Sequence, residues 1–486
     1  MFGRPMLLAG TALEANGMDE QRSEAWDILA AAALPHDSVD TWLAGQAALV
    51  THADAVEDAN GSWTRTQRFL HAGRALLQQM AERAEHTPAD AAATACIVDQ
   101  LRKAQTRFLR MHGEQVYKEL THNYGSFMRV AELIAEVSAR YPDLVSPPPA
   151  LPAAQSLLQR QQDGTALDQG IFIAEILRNQ RAGAHLIQAM LRPKAESLEL
   201  LSVFQRDGVV DLGAARVERH GAVGYLYHAN SRYLNAEDEA TTQALEVGVD
   251  LILLDRQIEV GVIRGEVVAH PKYRGRRVFN AGLNLTHLYE GRIAFLFFIT
   301  HELGYLNKIY RGLAGDEIWS PAEAVTTEKP WIGAVESFAI GGGCQLLLIL
   351  DHVLAEQGSF FVLPAAKEGI IPGVANLRIS RFLGGRGARR CIFFDQRIAA
   401  DSPEGQLLCD AVVPPGGMDA AISDTIATLT QSSLISIANN RKLLRFGEEP
   451  LSVFQAYMAE FARDQAECYQ SPLLVRNLEH SWLQRG

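Results

Sequence analysis

The chain has 486 residues with 45 Lys and Arg against 57 Asp and Glu, a formal net charge of −12. At about 100–200 residues per domain, this length predicts two to four domains with a sizeable core and excludes a mini-protein or a disulfide scaffold. A charged fraction of 21% and a hydrophobic fraction of 48% exclude wholesale disorder, and the acidic balance argues against a nucleic-acid partner.

The opening MFGRPMLLAGTALEANG carries one Arg and an apolar run too brief for a secretory signal, with Glu14 close behind. No stretch approaches the roughly 20 consecutive apolar residues needed to span a bilayer. Cys96, Cys344, Cys391, Cys409 and Cys468 are scattered and show no C-x-x-C spacing, so neither disulfides nor a structural zinc are expected. A cytoplasmic protein with no membrane partner follows. From Asp19 to Tyr141, apolar residues recur at three- and four-residue steps, among them Trp26 and Leu29, Phe69, Leu76 and Met80, and Phe108 and Met111, which predicts several packed helices. The SPPPALP segment from Ser146 to Pro152 breaks the pattern, because proline lacks the N–H and restricts its predecessor. Further helices are expected around Leu157 and from Ile171 to Leu191, giving a helical N-terminal domain over residues 1–200.

Beyond residue 205 short β-branched runs alternate with amphipathic helices, the signature of βαβ layering. Strands are expected at Val217–Leu226, Leu251–Leu254 and Val260–Ile263, and helices at Thr241–Val249 and Ile293–Leu313. In RRVFNAGLNL, Arg276 to Leu285, a strand ending at Phe279 precedes a loop with Gly282. In WIGAVESFAIGGGCQLLLILDHVLA, Trp331 to Ala355, a strand over Ile332–Val335 runs into Gly341, Gly342, Gly343 and an apolar helix. Either segment alone reads equally as a tight strand-to-helix turn. Together they can supply two backbone N–H donors converging on one oxygen, which stabilise a developing enolate or oxyanion by about 3 kcal/mol per donor.

NSRYLNAED (Asn230 to Asp238), VGVIRGE, FNAGLNL, AVESFAIGGGCQL and LPAAKEGIIPG (Leu363 to Gly373) occur in an order and spacing that resemble the crotonase (enoyl-CoA hydratase/isomerase) superfamily over about residues 205 to 445. The resemblance implies an α/β fold, a spiral core of ββα repeats, preceded by the all-helical N-terminal domain, so that residues 201–486 form the acyl-CoA catalytic domain with a C-terminal helical segment. It also implies that the oxyanion donors are the N–H groups of Leu283 and Gly342, with Ala281, Gly282, Asn284, Phe338, Ile340 and Gly341 around them. Hydratases of this superfamily carry two glutamates at the positions of Gln345 and Ala365. Glutamine cannot accept a proton as a general base and alanine has no polar group, so addition of water to an enoyl thioester is not expected.

FAIGGGCQLLL, LPAAKEGIIPG, the inserted HPKYRGRR (His270 to Arg277), HELGYLNKIYRG and the helical extension are similar to the cofactor-independent 3,5-dihydroxyphenylacetyl-CoA dioxygenases of glycopeptide-antibiotic pathways. In that group glutamine at the position of Gln345 is the expected feature. The resemblance implies conversion of an arylacetyl-CoA and O2 to an arylglyoxylate and free CoA without metal or flavin. An isomerase or thioester hydrolase of the same fold, and a silent acyl-CoA-binding subunit, are the competing readings. Homotrimers or hexamers are expected, with helices from Ile435 onward completing a neighbour's pocket and Arg441 and Lys442 reaching CoA phosphates.

The remaining candidates read two ways. Glu237 is either near the substrate or a carboxylate favoured by a helix start. His270 contacts the thioester region or is a surface histidine. Lys272, Arg274, Arg276 and Arg277, the densest basic cluster, suit CoA phosphates or form a solvated loop, with Tyr273 beside them. Ile370 and Ile371, next to Glu368 and Gly369, either make a dry space for O2 or are ordinary core. His301 stands where the dioxygenases have an arginine serving the phenolic hydroxyls; it offers fewer donors and a titratable charge. Glu336 and Ser337 replace the usual Asn or Asp and Gly. The histidines show no metal-ligand spacing, so no metal is expected, and Cys344 reads as packing rather than as a nucleophile.

Overall fold

A computed structural model describes residues 22–51, 59–81, 87–147, 164–315 and 326–481. The opening residues, Pro148 to Pro152 and the helix expected around Leu157 lie outside the described residues. The chain divides into two compact units, one of residues 1–120 and 134–147, the other of residues 121–133 and 148–486. This division differs from a boundary near residue 200, since the helices between residues 164 and 207 belong to the second unit.

The first unit is helical, as the three- and four-residue periodicity dictates, with helices at 22–31, His36–Thr51, Ala59–Ala81 and Pro88–Leu120. The last begins at a reciprocal cap: Thr87 N–H donates to Asp90 Oδ2 (2.8 Å) and Asp90 N–H to Thr87 Oγ1 (3.1 Å), with Pro88 in the position where a missing N–H costs nothing. Trp42 stacks on Phe69 with centroids 5.1 Å apart, and Trp63 meets Tyr141 edge-on.

The second unit opens with helices Thr165–Arg178, Gln180–Leu191 and Ala195–Asp207. Its strands are β1 (Val209–Asp211), β2 (Ala215–His220), β3 (Val223–His228), β4 (Val260–Gly265), β5 (Leu313–Ala314), β6 (Thr326–Thr327), β7 (Trp331–Val335), β8 (Phe338–Ile340), β9 (His352–Glu356), β10 (Phe360–Val362), β11 (Ile398–Ala399) and β12 (Ala411–Val413). The large sheet has the order β1-β2-β3-β4-β7-β9-β12, parallel from β3 to β12, and a small sheet has the order β11-β10-β8. β7 lies in the large sheet and β8 in the small one, followed by helix Gly342–Leu347; β9 and β10 repeat the step, followed by helices Ala365–Glu368 and Ala375–Phe394. This is the ββα spiral. β4 and β7 are buried along their whole length, as parallel strands covered on both faces must be.

Four expectations change. Val217–Leu226 is not one strand but the β2–β3 hairpin, turning at Gly221. Leu251–Leu254 is not a strand; it ends the helix Glu239–Leu254, which is buried nearly all round, so its apolar run carries no period that separates helix from strand. Arg276–Phe279 forms one isolated bridge, Arg277 with Val267, and the residue after it, Asn280, bridges Ala339. The helix expected over Ile293–Leu313 spans Phe295–Arg311 and holds a π-helical turn at His301–Leu306.

The C-terminal helices are Leu434–Glu448, Leu451–Gln470 and Pro472–Ser481, and Leu451–Gln470 packs along Thr165–Arg178. They are tied down by buried charge. Glu449 receives Arg378 Nε and Nη2 at 2.8 and 2.9 Å, Arg311 at 3.1 Å and Arg381 at 3.0 Å. Burial alone would raise its pKa, but the guanidiniums, Arg378 foremost, outweigh it and hold the carboxyl at about 2.

Candidate active site

Two backbone loops meet at the site. Gly282 has φ +80° and Gly341 φ +53°, conformations that side chains resist, and an added Cβ on Gly282 would lie 2.8 Å from Ile340 O. Their close approach brings Leu283 beside the start of helix Gly342–Leu347; a Cβ on Gly341 would be 3.9 Å from Leu283 N. The neighbouring N–H groups are all used: Gly282 donates to Asn280 Oδ1 (2.6 Å), Asn284 to Glu237 O (2.8 Å) and Gly341 to Val362 O (2.8 Å). Among the described residues the N–H groups of Leu283 and Gly342 have no such partner, so both expected donors are available on facing loops.

Glu237 enters from the other side. The turn before it places Leu234 and Asn235 at φ +56° and +58°, and Asn235 Nδ2 anchors it to Val278 O at 2.6 Å. Glu237 N–H then donates to Gly282 O (2.7 Å), completing the bridge that holds the Leu283 loop. Its carboxylate accepts Asn280 Nδ2 on Oε1 (2.7 Å) and His301 Nε2 on Oε2 (2.9 Å). His301 Nδ1 faces Glu302 Oε1 at 3.0 Å, and Glu302 also accepts Gln345 Nε2 (2.5 Å) and the N–H of Val374 (3.2 Å). Both ring nitrogens of His301 therefore point at carboxylates, the arrangement of an imidazolium. Burial favours neutral imidazole, yet the two glutamates outweigh it and push His301 up to about 10. Burial would likewise raise Glu237, but His301, His228 and Asn280 hold it below the ordinary carboxylate range.

The π-helical turn allows this. Consecutive residues on an α-helix point about 100° apart, and the wider turn lets His301 and Glu302 both reach the site. The cavity between these groups has a volume of about 50 Å³. Its polar wall is Glu237, His301, Glu302, Gln345 and Glu368, and its apolar wall includes Phe297, Phe298, Ile370, Ile371 and Phe461. Leu283, Gly341, Gly342 and Ala365 also line it. Burial, with Asp395 adding to it against Lys367, pushes the Glu368 carboxyl up to about 8.

The structure thus gathers Glu237, Leu283, His301, Gly341, Gly342, Gln345, Glu368 and Ile370 around one cavity. Ala281, Phe338, Ile340 and Tyr273 instead form a small apolar cluster with Val268 and Val278, outside the cavity wall. His270 accepts the N–H of Lys272 and starts a short turn, and Lys272 lies over the Tyr273 ring, so this loop is not in the cavity wall. Gly369 packs against Leu474 of the last helix. Arg441 corrects the expectation of a phosphate ligand: it is buried and binds Asp351 (2.6 Å), Glu328 (3.1 Å) and Ile309 O (3.1 Å). Of the helices after Ile435, Leu451–Gln470 brings Phe461 to the cavity wall of its own chain. Cys344 is buried, and burial drives its thiol pKa up, consistent with packing. Glu302, Asn280, His228 and Phe461 were not legible as site residues; the visible signal was Glu302 following His301. Among the described residues no cluster of His, Cys, Asp or Glu is arranged to hold a metal ion, and no helix is long and apolar enough to cross a membrane.

Residues 275–455 match the enoyl-CoA hydratase/isomerase family. The chain is 45% identical over 392 residues to the (3,5-dihydroxyphenyl)acetyl-CoA 1,2-dioxygenase of Amycolatopsis orientalis, covering 80% of this chain and 89% of that protein. It is 23% identical over 239 residues to a short-chain-enoyl-CoA hydratase of Clostridium acetobutylicum, covering 49% and 83% respectively. An enoyl-CoA hydratase structure from Mycobacterium avium subsp. paratuberculosis K-10 aligns with a TM-score of 0.46 at 18% identity, over 57% of this chain and 97% of that one. With 45% identity carried across most of both chains, and the glycine loops and the ββα spiral in place, the protein belongs to the enoyl-CoA hydratase/isomerase family, on the branch represented by the Amycolatopsis dioxygenase.

Proposed function

We propose that the protein is a dioxygenase that converts an arylacetyl-CoA, (3,5-dihydroxyphenyl)acetyl-CoA or a close analogue, and O2 to an arylglyoxylate and free CoA, with no metal or flavin. The observation that carries this is the 45% identity over 89% of the Amycolatopsis enzyme. The site chemistry supports it. Loss of an α-proton, made acidic by the aryl ring and the thioester, gives an enolate whose oxygen is met by the N–H groups of Leu283 and Gly342. The electron-rich α-carbon passes electrons to O2 and binds it as a peroxide. The terminal oxygen attacks the thioester carbonyl and the thiolate departs with one proton. The O–O bond then breaks as the second α-proton leaves, so the two α-hydrogens end on CoA and the keto acid. Gln345 and Ala365 offer no base for water addition, and the apolar wall of Phe297, Phe298, Ile370 and Phe461 limits competing hydrolysis.

In this reading Glu237, held by the His301 imidazolium, and Gln345 serve the aryl ring, and Lys272 and Arg274 on the exposed loop, with His270 and Tyr273, serve the CoA moiety. Residues 201–486 carry the chemistry and residues 1–200 precede them. Exposed Ile435, Leu443, Leu444 and Phe446 on one helix suit a subunit contact in a homotrimer or hexamer, in the cytoplasm of a cell making an aryl-containing antibiotic. The test is O2 uptake with thiol release from (3,5-dihydroxyphenyl)acetyl-CoA in the presence of a chelator, beside an anaerobic control. One O2 consumed per CoA released is expected; CoA release that persists without O2 would make the protein a hydrolase, and binding without turnover would make it a silent subunit.

A further inference from the structure

Three carboxylates line the cavity, Glu237, Glu302 and Glu368, and the first two are already engaged. Both oxygens of Glu237 are occupied, Oε1 by Asn280 and Oε2 by His301. Glu302 receives His301 and Gln345 on Oε1 and Val374 N–H on Oε2. Asp238, just behind Glu237, caps its helix through Thr241 N–H and holds His287 at 2.8 Å. Glu237, held by the His301 cation and the Asn280 amide against the effect of burial, lies below the ordinary carboxylate range and is a weak base. Glu368 differs. It lines the cavity with Gly342 and Leu283, it is half-buried, and among the described residues its carboxyl makes no hydrogen bond or ion pair. It lies three residues after Ala365 in a one-turn helix, so the two share the face turned to the cavity.

We infer that Glu368 is the base that removes the substrate's α-proton, an assignment that rests on the dioxygenase reading. The α C–H bond breaks, its proton moves to the Glu368 carboxylate, and its electron pair enters the enolate whose oxygen rests on the Leu283 and Gly342 N–H groups. The proton is then available to the departing thiolate, so Glu368 ends the cycle ionised as it began. Its surroundings suit this exchange. The charges acting on it are Asp395 at the end of helix Ala375–Phe394 and the adjacent Lys367, while the last helix brings Leu474 and Asn477 against the same turn. With Glu237, His301 and Glu302 as the other ionisable groups of the wall, burial and Asp395 place Glu368 near 8, where a carboxyl both accepts and returns a proton at neutral pH.

The experiment is α-hydrogen exchange in D2O without O2, using the full chain and (3,5-dihydroxyphenyl)acetyl-CoA, followed by mass spectrometry beside a binding titration. Wild-type protein should exchange at a rate that rises with pH through about 8. Glu368→Gln should bind the thioester within threefold of wild type and exchange more than tenfold more slowly, since a positioned base contributes about 10²–10⁴-fold. Glu368→Asp, which keeps a shorter base, should recover part of the rate. Exchange by Glu368→Gln within tenfold of wild type overturns the inference, and so does loss of binding in parallel with exchange, which would make Glu368 a ring contact. Wild-type protein that neither exchanges nor consumes O2 would instead overturn the dioxygenase reading itself.

Discussion

Replacing His301 by leucine removes the cation between Glu237 and Glu302 while keeping most of the volume. Glu237 then retains Asn280 and Glu302 retains Gln345 and the Val374 N–H, but the 2.9 and 3.0 Å contacts to the ring are lost. At an effective dielectric constant of 20, each contact is an attraction of about 5–6 kcal/mol, an upper limit before the cost of burying the imidazolium is set against it. The loss is capped in another way, because Glu237 can escape by binding a proton. Keeping a carboxyl of unfolded pKa ~4.3 protonated costs about 3.7 kcal/mol at pH 7 and about 1 kcal/mol at pH 5. In the wild type the sign runs the other way for the ring. His301 is raised to about 10, so its contribution is full below its unfolded pKa of about 6.5, has fallen by only about 0.8 kcal/mol at pH 7, and is lost as the pH rises through 10. The difference between variant and wild type should therefore grow by about 2 kcal/mol from pH 5 to pH 7. Urea unfolding followed by amide exchange in β4 and β7 reads the second unit alone, and adding Glu237→Gln should recover at least half of the loss at pH 7. Equal penalties at both pH values, or no recovery in the double variant, would refute the imidazolium between two carboxylates.

Gly342→Ala would place a Cβ 2.5 Å from Glu237 Oε2, an atom pinned by His301, so the helix start must move; with one oxyanion donor displaced, kcat should fall about 10²–10³-fold in O2-coupled CoA release with the fold retained by circular dichroism. Arg441→Met should leave KM for the thioester within twofold while lowering stability by about 2 kcal/mol, because the charge-assisted bonds of the buried guanidinium to Asp351, Glu328 and Ile309 O are lost; a large rise in KM would restore Arg441 as a CoA ligand. Glu449→Gln should cost about 3 kcal/mol at pH 6. Because the folded carboxyl is depressed to about 2, its stabilisation is full above the unfolded value of about 4.3 and lost as pH falls through 2, so the gap between the two proteins should shrink to about 1.4 kcal/mol at pH 3 and close only below pH 2.

Much of the site was legible because it is built from backbone. FNAGLNL and FAIGGGCQL announce the facing loops through glycines that only a close backbone approach requires, and the order of the motifs carried the ββα spiral. Gln345 and Ala365, at the positions where the resemblance expects the hydratase glutamates, also spoke against hydration, since neither side chain can act as a base. Local pattern failed where burial was complete: Leu251–Leu254 is helical because a segment covered on all sides has no polar face to reveal its period. It failed again for Arg441, whose charge suggested a phosphate but whose partners, Asp351 and Glu328, come from distant parts of the chain. His301 shows both sides. Its identity marked a departure in the sequence, but its charge state was settled by Glu237, 64 residues earlier, by Glu302 beside it, and by the π-helical turn that aims both ring nitrogens at carboxylates. Backbone conformation and burial pattern are written locally, in glycines and periodicity, whereas a protonation state is the sum of every charge that folding brings within a few ångströms, and only the tertiary structure decides which charges those are.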